Sequence, residues 1–408
     1  MNIFIVSMCF YPDDFRINDI AAQMAADGNH VTVLTGLPDY ATSRIPRAFR
    51  FFRRRRESWR GVNIIRVPIV ARRSGKIFRA LNYLSFVISG GLYARFCRRK
   101  ADIVFSYQTS PVLQSMPAIA FSRRRRIPLI IYCCDIWPEC LKVWNIREDS
   151  ALFRWADKRS RKIYRRADLL PVTSEPFAEY LAERHGIPRD RMPVLPQHAE
   201  DLYGEIAGVF EDNDCVDFVF AGNIGAAQCV DGIIRAAALM PDGIKSFMIH
   251  IIGDGSERSR CEQLAEELGL SNQIIFHGKH PLDLMPFFYR IADCFLLTLS
   301  GDGVGTMTLP AKAQSYMSAG KPILAAADGA SSAIIAESKC GWCVPANDPQ
   351  KLAAAMEVVI NTSREKLIQY GNNGREYYER KYTKEEFMDA LYLMINDTIR
   401  WKESKQSP

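Results

Sequence analysis

The sequence predicts an α/β protein built from two doubly wound, parallel-stranded sheets, and three observations predict it. Apolar runs of strand length alternate with helical periodicity along nearly the whole chain, the pattern of βαβ units. At 408 residues, 48% of them hydrophobic, the chain exceeds what one core usually supports and can fill two. Polar and glycine-rich segments follow directly after the apolar runs, where open α/β sheets bind their ligands.

In the first half, strands are expected at 2–8, 30–36, 62–67, 102–107, 128–135, 169–174 and 192–197. In the second half they are expected at 218–223, 247–253, 273–278, 294–299 and 322–327. The polar stretch HAEDLYGEIAGVFEDNDC, 198–215, marks the junction, which gives domains 1–198 and 199–383. Beyond about 349 the pattern is helical only, and TKEEFMDALYLMINDTIRWK, 383–402, is amphipathic; the terminal helix, 384–408, is expected to pack back on the first domain.

No uncharged apolar stretch of about 18 residues appears, and the opening MNIFIVSMCF has neither a basic leader nor a small-residue cleavage site. The expectation is a cytoplasmic protein, peripheral on the inner face of the cell membrane. ALNYLSFVISGGLYARF, 80–96, holds Asn82 and a glycine pair and is read as a buried helix rather than an inserted one. The 11 cysteines are odd in number and mostly scattered, which fits reduced thiols better than a disulfide framework. CGWC, 340–343, has the spacing of redox thiols or half a zinc site but lacks a second pair, so these cysteines are read as structural.

Charge is unevenly placed. Residues 1–198 carry 34 Lys and Arg against 17 Asp and Glu, whereas 199–408 carry 19 against 29. Between 44 and 126 stand 21 basic residues and only two acidic ones, Glu57 and Asp102. Four basic runs of one sign call for an anionic partner. Phe49, Phe51, Phe52 and Trp59 interleave with Arg53, Arg54, Arg55 and Arg56, which favours an anionic membrane surface with these arginines and Trp59 as the docking residues. Nucleic acid is the alternative, though the runs lack any DNA- or RNA-binding motif.

The loops after the expected strands carry the chemistry. They include FYPDDFRIND (10–19), YQTSP (107–111), DIWPE (135–139), GNIGAAQ (222–228), GDGSERSR (253–260) and GKH (278–280). A further loop, TLPAKAQSYMSAGKPIL (308–324), places Pro310 just inside a helix start and Gly320 at its end, with Lys312, Gln314, Ser315 and Tyr316 between. Gly222, Asn223, Gly225 and Gln228, then Gly253 and Gly255, form two turns where backbone can approach a phosphate. Neither is a GxGxxG fingerprint. With Lys312 at the same sheet edge, and Lys279 or Arg258 as helpers, they describe a nucleotide diphosphate pocket; ordinary tight turns and a solvent-facing lysine are the bland reading.

These segments resemble the family 4 glycosyltransferases, retaining nucleotide-sugar enzymes of the GT-B fold, in which two Rossmann-like domains face each other across a cleft. They are most similar to the bacterial branch that adds fucose-type or N-acetylfucosamine sugars in colanic acid, capsule and O-antigen assembly. The resemblance implies a nucleotide-sugar donor, a polyprenyl-diphosphate-linked glycan acceptor, no nucleic acid, and no metal or other cofactor. It implies that Lys312 meets phosphate and that Pro310, Gln314, Ser315 and Tyr316 lie by the ribose and sugar. Tyr107 and Gln108 fall on the acceptor side, Asp135 or Glu139 would orient the acceptor, and Arg16 would reach the diphosphate. For Glu139 an ordinary helix-start carboxylate is the equal alternative. A nucleotide-sugar epimerase of the same fold is the enzymatic rival.

The departures from the family are specific. Many members carry two glutamates where this chain has Met307 and Ser315, and an Arg and Lys absent from GNIGAAQ. The frequent histidine before the aspartate of the fifth strand is Cys134. Charge compensation would therefore fall mainly to Lys312.

Overall fold

The computed structural model describes all residues except 41–42, 52, 74, 212–213, 242, 302 and 407–408. The chain divides into two units: Met1–Thr173 with Ala178–Leu195 and Met388–Pro408, and Ser174–Phe177 with Pro196–Phe387.

The first unit begins with β1 (Asn2–Val6), α1 (Arg16–Ala26), β2 (His30–Thr35), β3 (Arg56–Trp59) and β4 (Val62–Arg66). It continues with α2 (Lys76–Phe96), β5 (Ile103–Gln108), α3 (Met116–Arg125), β6 (Leu129–Cys133), α4 (Ala151–Tyr164) and α5 (Glu175–His185), the last of which crosses the division. The sheet order is β3-β4-β2-β1-β5-β6, with every pair parallel except β3 against β4. Order reverses at β1, the switch point of a doubly wound sheet.

Two expected strands, 169–174 and 192–197, are reduced to isolated bridges at Leu169, Val172 and Val194. Pro171, Pro193 and Pro196 lack the N–H groups that a continuous ladder requires. Conversely, β3 escaped the strand pattern because it is a charged edge strand, RESW, with no apolar alternation.

The second unit holds β7 (Val216–Ala221), α6 (Val230–Ala237), β8 (Phe247–Ile252), α7 (Arg258–Glu267), β9 (Ile274–Gly278), α8 (Met285–Ile291) and β10 (Cys294–Thr298). Then come α9 (Val304–Met307), α10 (Ala311–Ser318), β11 (Ile323–Ala326), α11 (Ala330–Ser338), β12 (Gly341–Val344), α12 (Pro349–Ile360), α13 (Arg364–Lys381) and α14 (Lys384–Gln406). The order is β12-β11-β10-β7-β8-β9, all parallel, with the switch at β7. Its strands read as continuous apolar runs because both faces are covered: Phe218, Phe220 and Ile251 pack on one side, Val219, Phe295 and Leu297 on the other. Cys340 is buried beside β12 and Cys343 is an exposed thiol on it.

Helix α14 crosses back into the first unit. There Tyr392 donates to Asp27 at 2.7 Å and Lys402 pairs with Asp168 at 2.7 Å.

Helix α2 departs from the buried reading of 80–96. Phe86 and Ala94 are buried on one face, but Leu81, Leu84, Ile88, Leu92 and Phe96 are exposed.

Candidate functional site

The loops at the carboxyl edge of the second sheet pack backbone against backbone. A Cβ at Gly253 would stand 1.8 Å from the Gly222 carbonyl, and one at Gly255 would stand 2.2 Å from that of Ile224. The turns therefore require glycine for their own approach. Their N–H groups are largely used: Gly222 donates to Ile252 O (2.9 Å), Ile224 to Asp254 O (2.9 Å), Gly253 to Gly278 O (2.8 Å) and Gly255 to the Asp254 carboxylate (2.8 Å). The expected cradle of outward N–H groups is thus reduced. Asn223 and Gln228 hydrogen-bond each other at 2.9 Å near the surface, beside Gly225.

Above these turns stands Lys312, the second residue of α10. Its ammonium lies 3.9 Å from the centre of the Phe220 ring and 3.6 Å from where a Cβ on Gly222 would be. It is buried and has no hydrogen-bond partner among the described residues. The residue as a whole keeps partial exposure, yet its nitrogen has none. Loss of hydration pulls its pKa down to about 7. Among the described residues this charge, aimed into a glycine-lined space, has no counter-ion, an arrangement that suits an anion supplied from outside. Lys321, also buried in this unit, shows the contrast: its ammonium donates to Ala292 O at 2.6 Å and Arg290 O at 3.2 Å.

The remaining residues of the α10 loop divide. Pro310 is extended and caps the helix from outside, one position earlier than expected. Tyr316 is fully buried, stacks on Phe295 at 4.0 Å, and its hydroxyl receives the Ala221 N–H at 2.9 Å and reaches Ala221 O at 3.2 Å. It fastens the end of β7 and is not available to a ligand. Gln314 is buried, with its amide oriented to donate to Pro310 O at 2.9 Å and Ala311 O at 3.2 Å, so it serves its own helix start.

Ser315 meets a residue that sequence reasoning missed. Its hydroxyl donates to the Glu200 carboxylate at 3.2 Å, which brings an acid to the place where the family pattern has a glutamate and this chain has serine. Met307, at the other such position, has its carbonyl bonded by Ser174. The glycines of SGDGVG, of which Gly305 packs against Ser300 O, were a second missed signal, legible as a cluster directly after β10. Lys279 is exposed at the end of β9, and Arg258 pairs with Glu262 at 2.8 Å beside Gly278. A cavity of about 390 Å³ under the GNIGAAQ loop is lined by Arg235 and Arg260 but equally by Asp231, Glu257 and Asp348, and Lys312 is not on its wall.

In the first unit the sequence candidates fare unequally. Asp135 follows β6, and burial pushes its carboxyl pKa up against the opposing hydrogen bonds of Ser110. Glu139 is buried at 2% exposure, takes the Tyr180 hydroxyl at 2.6 Å and pairs with Lys142 at 2.6 Å. Its oxygens are occupied by structural partners, so it is withdrawn as an acceptor ligand. Gln108 is fully buried, bridging to Thr109 O at 2.9 Å and Asp135 O at 3.3 Å, and Tyr107 packs on Tyr132 at 5.9 Å; both belong to the core. Arg16 opens α1, half-buried, near enough to Tyr132 to oppose the upward shift of that phenol.

The basic segment is also sorted. Arg53, Arg54 and Arg56 are exposed and Arg55 is half-buried. Trp59 stacks on Tyr11 at 4.6 Å, and Phe49 is buried under Arg66 at 4.9 Å. Trp59 is therefore anchored to its own unit rather than offered to a membrane. Phe51 is 90% exposed, and Phe52 lies outside the described residues. A carboxylate that the sequence did not single out, Asp39, is buried between the Arg72 N–H and the Asn82 amide, both at 2.8 Å, and its pKa is pushed up to about 6 by burial.

Two family descriptions match the chain: "Glycosyl transferase 4-like domain" over residues 15–198 and "Glycosyl transferases group 1" over residues 207–377. The two matches together span most of the chain, which is a glycosyltransferase of GT-B architecture. Among its relatives is the probable glycosyltransferase WbjE of Pseudomonas aeruginosa, 28% identical over 77% of this chain and 78% of that protein. The putative colanic acid biosynthesis glycosyl transferase WcaI of Escherichia coli K12 is 22% identical over 97% of this chain and 99% of that protein. Of solved structures, Anabaena HepE in complex with UDP and glucose superposes with a TM-score of 0.68, at 16% identity over 97% of this chain and all of that one.

Proposed function

We propose that the chain moves a sugar, of fucose type, from a nucleotide diphosphate onto a polyprenyl-diphosphate-linked saccharide, with retention of configuration, in bacterial surface polysaccharide assembly. The observation that carries the donor half is the buried, unpartnered ammonium of Lys312 beside Gly222. HepE, a protein of like fold, is known in complex with UDP and glucose, which supports a nucleotide-sugar as the donor. The fucose-type sugar and the lipid-linked acceptor rest on the resemblance of the sequence segments, while the polysaccharide setting has the support of WcaI, described as a putative colanic acid biosynthesis glycosyl transferase.

Retention by front-face displacement asks little covalent work of the protein. The diphosphate leaves while the acceptor hydroxyl attacks on the same face, and the departing phosphate oxygen takes the acceptor's proton. Lys312 stabilises the charge that accumulates on that oxygen. Ser315 and Glu200 face the ribose in this reading, and Asp135, with its raised pKa, is the acceptor-side carboxyl. The test is a screen of UDP-, GDP- and dTDP-sugars for thermal stabilisation, since a ligand bound only by the folded state raises its melting temperature. One nucleotide class should raise it by a few degrees at saturation; no stabilisation by any of the three overturns the reading.

A further inference from the structure

A helix advances about 100° per residue, so Ile77, Leu81, Leu84, Ile88, Leu92 and Phe96 share one face of α2. Their exposures are 75, 42, 52, 54, 55 and 71%. The opposite face is where the helix packs, through Asn82, Phe86 and Ala94, each at 1% exposure or less. Asn82 there donates to Asp39 and to Val70 O. The outward face is thus a continuous apolar stripe roughly 28 Å long at 1.5 Å per residue. Monomeric soluble proteins seldom leave such a stripe uncovered.

The charges around the stripe have one sign. Arg95, Arg123 and Arg124 border an open groove floored by Ile88, Gly91 and Leu92. Arg56, Arg98 and Arg99 border another beside Tyr93 and Phe96. No acidic residue occurs between Glu57 and Asp102. No helix among the described residues is long and apolar enough to cross a membrane.

We propose that α2 is a bilayer-docking helix, lying in the plane of an anionic membrane with its apolar stripe at the acyl boundary and these arginines at the lipid phosphates. The juxtaposition selects this occupant. An apolar face suits the acyl region, and guanidinium groups at its rim suit anionic headgroups. A two-fold contact between copies would bring the same arginines face to face. Nucleic acid would leave the stripe without a partner. The proposal deepens the transfer reading, on whose lipid-linked acceptor it rests, and it shifts the docking surface from Trp59 to α2, keeping Arg56 at its edge.

The test is co-sedimentation of the full chain with phosphatidylcholine vesicles, with and without about 30% phosphatidylglycerol. Wild type should bind the anionic vesicles and lose binding as salt rises. The triple substitution Leu84→Gln, Ile88→Gln, Leu92→Gln, at exposed positions, should reduce the bound fraction at least tenfold. Arg123→Gln with Arg124→Gln should reduce it severalfold on anionic vesicles only. Nucleotide-sugar stabilisation, measured on the same samples, should be unchanged in both variants, which also reports that they fold. Equal vesicle binding by the triple variant and wild type, or no binding by wild type, overturns the proposal while leaving the transfer reading standing. A wild-type dimer that the triple variant converts to monomer, without vesicle binding, overturns it in favour of a self-interface. Vesicle binding without stabilisation by any nucleotide-sugar upholds the docking helix and removes the transfer reading.

Discussion

Lys312 and Lys321 lie at opposite ends of the same short helix, and both ammonium groups are buried against an aromatic ring, Phe220 or Phe210, at 3.9 Å. Burial lowers both pKa values, to about 7 and about 8. What separates them is partners. Lys321 is satisfied by two carbonyls at the end of α8, whereas among the described residues Lys312 has only the ring and the glycine turn. A buried cation with its hydrogen bonds made is a fastening; one without them is a site awaiting charge. For the proposed donor site this comparison is stronger support than the glycines are, because the glycines are explained by the packing of the two turns on each other.

The largest effect expected from the comparison is on turnover. The diphosphate gains negative charge as the glycosidic bond breaks, so Lys312 should hold the transition state more tightly than the ground state. Lys312→Ala should lower kcat on the order of 100-fold, the loss typical of one preorganised donor, with a smaller change in donor KM. Lys312→Met should be equally inactive yet more stable without ligand. A lysine whose folded pKa is depressed costs stability below that pKa, and the cost disappears only above the unfolded value near 10.4. Turnover of Lys312→Ala within about twofold of wild type at saturating donor would remove Lys312 from the chemistry.

Lys321 should show the reverse. Lys321→Met relieves a burial cost of the same kind but leaves the Ala292 and Arg290 carbonyls without their donor, about 1–3 kcal/mol, so it should be less stable than Lys312→Met, read as a lower urea midpoint at unchanged slope. Its kcat should stay within about twofold of wild type. If Lys321→Met instead abolished turnover while folding normally, the distinction drawn from hydrogen-bond partners would fail.

How much of this was legible beforehand varies with the range of the interaction concerned. Both parallel sheets followed from apolar runs, because buried parallel strands are apolar on both faces. The charged edge strand β3 and the proline-interrupted bridges near Val172 and Val194 were misread, since local composition hid or mimicked the pattern. Lys312 stands out in the sequence because it falls at the same sheet edge as two glycine turns and because the family resemblance sets it beside phosphate. Tyr316 and Gln314 looked equally polar, but which polar groups turn inward is decided by neighbours such as Phe295 and Ala221. Glu200 had no local signal at all, being 115 residues from Ser315. The sequence of 80–96, with Asn82 and a glycine pair, reads as a buried helix, and only the fold shows that its buried face is the one carrying Asn82.

The smallest effect is also the most specific to an unpartnered lysine. In the free protein Lys312 titrates near 7, and an incoming diphosphate, by supplying the missing negative charge, must raise that value. Binding therefore takes up a proton between the two pKa values. Affinity is at its full strength below the free pKa and declines as pH rises through about 7, where the uncharged amine comes to dominate. From pH 6.5 to 7.5 the charged fraction falls from roughly three quarters to a quarter, so the dissociation constant should rise about threefold. The ligand should be an intact nucleotide-sugar, whose diphosphate does not itself titrate in this range, and titration calorimetry in two buffers of different ionisation enthalpy gives the proton count directly. Lys312→Met should bind more weakly and with no such slope, while Lys321→Met should keep it. An affinity in the wild type that is flat across this interval, or that rises with pH, would mean that Lys312 already finds its counter-charge inside the protein and that the contrast with Lys321 is one of geometry alone.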